Sequence, residues 1–150
     1  VAIVLPKFSS RRVPARRGVT ARTEPAIGLR FTSLQHVLEP GEVLELEYRI
    51  QRVSVHLIDR LELSVLWYTE GKGSEDIGVH RFESVSREQL SRGALEEPRH
   101  VRTTLPCSPL SYEGRLLKIR WCVRLRLYLT DGREISAKQP FYLGHLTVEV

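Results

Sequence analysis

Residues 115–130, RLLKIRWCVRLRLYLT, decide the fold. Leu117, Ile119, Trp121, Val123, Leu125, Leu127 and Leu129 fall on every second position, with Lys118, Arg120, Arg124 and Arg126 between them. Successive side chains of a strand point to opposite faces, so this alternation buries one face and leaves the other in water. Wound into a helix, the same residues would carry the arginines into the core. Cys122 falls on the charged side, so its thiol is expected to be partly exposed.

The flanking chain supplies partners for that apolar face. Residues 43–53 alternate, with Leu44, Leu46, Tyr48 and Ile50 on one side and Glu45, Glu47 and Arg49 on the other. Residues 59–70 place Leu61, Leu63, Val65 and Trp67 inward. Glu45, Glu47 and Glu62 are the expected cross-strand partners of the arginines, each pair contributing ~0.2–1 kcal/mol. Further strands are expected over 26–32, 77–85, 98–105, 133–143 and 145–150, with 34–39 continuing the sheet or crossing over. Glu39-Pro40-Gly41-Glu42 and Asp131-Gly132 are turns, since Pro presets φ and Gly accepts positive φ. Pro140 marks an edge or a bulge, because it cannot donate to a ladder. Residues 86–95, SREQLSRGAL, are the one helix-like piece, capped by Ser86 and cut short by Gly93.

About seven to nine strands, with turns roughly every ten to twelve residues and almost no helix, make an all-β antiparallel immunoglobulin-like sandwich. At 150 residues the chain suits one domain. It divides into a flexible basic arm, residues 1–25, and the sandwich, 26–150. The arm holds Lys7, Arg11, Arg12, Arg16, Arg17 and Arg22 against Glu24 alone, which accounts for the whole net charge of +5. The sandwich is therefore neutral overall, and attraction to anions belongs to the arm. Arg11, Arg12, Arg16, Arg17 and Arg22 are the candidate contacts to an anionic membrane surface, each worth ~1 kcal/mol there. No run of ~20 apolar residues is present. The short run Val1–Leu5 ahead of the arginines keeps open a second organisation, a cytoplasmic juxtamembrane domain of a larger membrane protein.

Several motifs, in order, resemble the arrestin-like β-sandwich family, specifically its N-terminal-type domain. They are Pro40-Gly41-Glu42 before a strand, the strand from Leu61 to Trp67, Leu105-Pro106, Ser111-Tyr112-Glu113-Gly114, and Ile119-Arg120-Trp121. Phe141 stands where such domains close with a strand containing lysine and phenylalanine. The resemblance covers residues 34–143 and implies a non-catalytic scaffold or adaptor that binds a protein partner through a sheet edge or loops. Family members carry two sandwiches in tandem, whereas the resemblance spans one here. The first strand lacks the paired lysines that sense phosphate in receptor arrestins, so phosphoreceptor binding is not implied.

Other chemistry is thinly represented. Glu70, Glu75, Asp76 and His80 crowd one loop and the next strand without the regular acid spacing of a calcium loop, and an enzyme built on clustered His and acids is the third reading. Trp67 and Tyr68 beside Glu70, Glu75 and Asp76 make this loop the candidate partner-binding edge. His36, His56, His80, His100 and His145 form no HxH or HExxH pair, and no GxSxG or phosphate-cradling glycine motif occurs. No cofactor and no enzymatic activity are therefore expected. Nucleic acid is a poor partner, because only Tyr128 is expected among the arginines, whereas sheet readers stack bases on exposed aromatics. Cys107 and Cys122 are expected as free thiols, consistent with a cytoplasmic setting in which the arm gives membrane association.

Overall fold

The computed structural model describes residues 24–32 and 36–144. The arm arginines and the expected last strand, residues 145–150, lie outside them. Among the described residues nine strands form two sheets: β1 (Ala26–Phe31), β2 (Val37–Leu38), β3 (Val43–Gln51), β4 (Ile58–Gly71), β5 (Ile77–Ser86), β6 (Arg99–Thr104), β7 (Tyr112–Glu113), β8 (Leu117–Leu129) and β9 (Glu134–Leu143). The smaller sheet has the order β1-β3-β6. The larger has the order β2-β9-β8-β4-β5, with β7 pairing β8. The protein is an all-β sandwich whose pairings are antiparallel except β2 on β9.

Strand β8 is the centre of the larger sheet. Trp121, Val123, Leu125, Leu127 and Leu129 are buried, and they meet Leu44, Leu46, Tyr48 and Ile50 of β3 in one core. Leu117 is exposed and Ile119 half-buried, because the strand runs past the end of that core. The Trp121 indole N–H donates to the Pro109 carbonyl at 2.7 Å, which satisfies its one polar atom inside the apolar layer. Burial also raises the Tyr48 hydroxyl above its ordinary pKa, against the charge of Arg99.

The expected turns and cap form as their residues dictate. Gly132 takes φ +89° between β8 and β9. Ser86 caps a single helical turn, α1 (Arg87–Leu90), in a capping box with Gln89. Pro140 sits in β9 beyond the two residues that β2 covers, so its missing N–H leaves no ladder bond unmade.

One expected set of ion pairs is corrected. Glu45 and Glu47 do not reach the arginines of β8, because β3 belongs to the other sheet and turns them to the opposite surface. Glu45 pairs with Arg102 at 2.8 Å, and Glu47 pairs with Arg30 and lies 3.9 Å from His100. Glu62 does sit opposite Arg126 in the ladder, as expected, and it also pairs with Arg60 at 3.2 Å.

Candidate functional site

The outer face of the larger sheet carries the most varied chemistry. Strand register sets its rows. Val79, Leu66, Cys122 and Pro140 are neighbours across β5, β4, β8 and β9. On one side of that row lie Ile77, Tyr68 and Arg120; on the other lie Phe82, Ser64, Arg124 and Lys138. The face is thus an apolar row between two mixed rows, and not a uniform basic stripe.

Leu66, Ile77 and Cys122 are buried as a small second core with Tyr68 packed on it. This corrects the expected exposure of Cys122. The residue does lie on the charged side of β8, but its neighbours on that side are apolar or long-stemmed. Burial pushes the Cys122 thiol up to about 11, with Lys138 and Arg124 pulling the other way. Burial also lowers the Arg124 guanidinium from its usual range, and Arg126 adds to that effect.

Beside this core lies an open hollow of about 350 Å³, lined by Tyr68, Glu70, Arg120, Lys138, Pro140 and Tyr142. Most of its charge is already matched. Arg120 bonds Glu70 at 2.8 Å and approaches Glu113 at 3.3 Å. Lys118 lies 3.6 Å from Glu113, and Arg126 lies 3.3 Å from Glu134. Lys138 differs: its ammonium stands 4.1 Å from the Tyr68 ring centre and donates to the Tyr68 hydroxyl at 2.9 Å. Among the described residues its hydrogen-bond partner is thus a tyrosine hydroxyl and not a carboxylate.

The residues expected in a partner-binding loop separate. Tyr68 and Glu70 line the hollow. Trp67 turns the other way, packed against the main core and over Gly78, where a Cβ would stand 2.1 Å from its Nε1. Glu75 and Asp76 are exposed at the turn, where the Asp76 N–H donates to the Thr69 Oγ1 at 2.8 Å. His80 leaves this face altogether and contacts the Thr104 carbonyl of the smaller sheet at 2.8 Å. Glu70, Glu75, Asp76 and His80 are thus not gathered, and among the described residues no group of three or more His, Cys, Asp or Glu is placed to hold a metal ion. Arg120, Lys138 and Tyr142 were not anticipated as site residues. Period-two alternation through 136–142 would have placed Lys138 and Tyr142 on one face, beside the even positions of β8. Tyr68 and Tyr142 also join Tyr128 on this face, and the Tyr128 ring lies 4.0 Å beneath the Arg60 guanidinium.

No family model and no curated protein matches the chain. Solved structures do resemble it. That of Spo0M, a sporulation control protein from Bacillus subtilis, aligns with TM-score 0.55 and 12% identity over 81% of this chain and 49% of its own. The present chain therefore spans about half the length of that protein, and the likeness is one of fold. The superoxide reductase (neelaredoxin) from Ignicoccus hospitalis aligns with TM-score 0.46 and 8% identity over 85% of this chain and 87% of its own, too slight a likeness to bear on function. Among the described residues no helix is long and apolar enough to cross a membrane.

Proposed function

We propose that the chain is an arrestin-like sandwich acting as a non-catalytic adaptor, and that its protein partner docks on the outer face of the larger sheet. The observation that carries this reading is the hollow lined by Tyr68, Glu70, Arg120, Lys138, Pro140 and Tyr142, beside a row whose middle, Leu66 and Cys122, is buried and whose ends, Val79 and Pro140, are exposed. Interfaces combine an apolar centre with a charged rim and are enriched in Tyr and Arg. The partner fills the hollow with an apolar side chain and presents a carboxylate to Lys138, whose present contact is a tyrosine hydroxyl. The Spo0M likeness supports the two-sheet scaffold of this reading. The basic arm adds attraction to an anionic membrane surface, as its arginine content suggests.

A photoreactive residue introduced at Pro140 tests the assignment. Covalent capture of a partner in cells is expected from position 140 and not from position 49, on the outer face of the smaller sheet. Lys138→Glu should abolish it while the far-UV spectrum is kept. Equal capture from both positions, or capture indifferent to Lys138→Glu, would overturn the reading.

A further inference from the structure

Strand β5 closes the larger sheet, and its outer side pairs with no strand among the described residues. Which main-chain groups it leaves bare follows from the ladder. In antiparallel pairs, bonded and non-bonded residues alternate. The Lys72 N–H donates to the Leu116 carbonyl, so the even residues of β4 bond β8; the Thr69 N–H donates to the Asp76 carbonyl, so the odd ones bond β5. The register shift between Val65 and Leu66 inserts His80 between Val79, opposite Leu66, and Arg81, opposite Val65. Beyond it, Arg81, Glu83 and Val85 face Val65, Leu63 and Leu61 and bond them. Phe82 and Ser84 therefore turn their N–H and C=O groups away from the sheet.

The side chains along this edge are distinctive. Phe82 is 57% exposed and is the one aromatic among the large hydrophobic residues found exposed in the described chain. Arg81 and Glu83 flank it on the inner face, 3.1 Å apart, with the Arg81 guanidinium also donating to the Arg102 carbonyl of β6. Edge strands are commonly guarded by bulges and by inward charges that repel an incoming copy. Here the inward charges have opposite sign and stand one on each side of a single residue.

We infer that β5 pairs antiparallel with β5 of a second copy of this chain, about a two-fold axis through Phe82. In that register Phe82 faces Phe82 of the other copy, and as a bonded pair they exchange both main-chain hydrogen bonds. Arg81 of each copy faces Glu83 of the other, so the two internal ion pairs become a ring of four alternating charges. Residues directly opposite share a face, so the phenyl rings meet on the outer surface and the charges on the inner. A two-fold interface must match itself, and the sequence Arg81-Phe82-Glu83 does so about its central residue. The register centred one residue on, at Glu83, would set like carboxylates opposite each other. The bulge at His80 limits the regular pairing to a few residues, so the dimer belongs to the small, weak class of interfaces.

Sedimentation of the whole chain, from about 10 μM to about 1 mM, tests this in the concentration range of weak association. The parent chain should pass from monomer to dimer with rising concentration. Phe82→Lys alters an exposed side chain and should leave a folded monomer throughout. Arg81→Glu should also be monomeric, and Arg81→Glu combined with Glu83→Arg should dimerise again. A parent chain that stays monomeric, a Phe82→Lys protein that still dimerises, or a folded charge-swapped protein that does not recover would each overturn the inference.

Discussion

Cys122 offers the sharpest probe of the outer face. Its thiol is lifted from an ordinary 9.0 to about 11 by burial under the second core. Two pH units are about 3 kcal/mol of preference for the neutral thiol. Because the folded-state pKa lies above the unfolded one, this contribution is complete below pH 9 and is lost as the pH rises through about 11. At pH 8 the same shift lowers the thiolate fraction about a hundredfold, and only the thiolate attacks a disulfide reagent. Exposed Cys107 is the internal reference. The higher intrinsic nucleophilicity of a more basic thiolate offsets part of this, so with Ellman's reagent at pH 8 the Cys107→Ser protein should react at least about tenfold more slowly than the Cys122→Ser protein. In denaturant the two rates should converge. A native Cys107→Ser protein that labels as fast as its partner variant would show that Leu66, Ile77 and Cys122 do not pack together, and the floor on which the proposed docking face rests would go with them.

Two further outcomes test other levels of the reading. Leu125→Ala empties a fully buried site between Leu63 and Ala137 and should cost about 2–5 kcal/mol, whereas its neighbour Arg126→Ala should cost about 1 kcal/mol or less; equal shifts in urea midpoint would contradict the assignment of faces on β8. The intact chain should sediment with anionic liposomes at low salt, less so as salt rises, and not at all without residues 1–25; binding that survives this deletion would remove the role given to the arm.

How far the sequence reveals the fold depends on whether the deciding interaction is local. Alternation within β8 fixes which side chains enter the core, because period two is a property of one strand. The same holds for the Asp131-Gly132 turn and for the Ser86 cap, each determined by its own few residues. The pairing of Glu45 and Glu47 is a different kind of question. Alternation states that they face water, but both sheets of a sandwich have a wet face. Only the non-local order β1-β3-β6 assigns them to Arg102, Arg30 and His100 rather than to β8. The candidate site was obscured for a related reason. Strict alternation through 61–67 places Leu66 in water, yet Val65, Leu66, Trp67 and Tyr68 form a continuous apolar run. Such a run is what a strand covered on both faces requires. Here one side faces the main core and the other faces Cys122 and Ile77. On β5 the extra residue at the bulge breaks the phase, so Val79 and Phe82, three apart, reach the same face. Three-residue spacing fits neither face of a regular strand, and no property of residues 77–86 alone reveals the insertion. It becomes visible only against β4, whose unbroken run sets the count that β5 exceeds by one. The self-matching edge, with Phe82 outward and Arg81 and Glu83 inward, takes its phase from that extra residue.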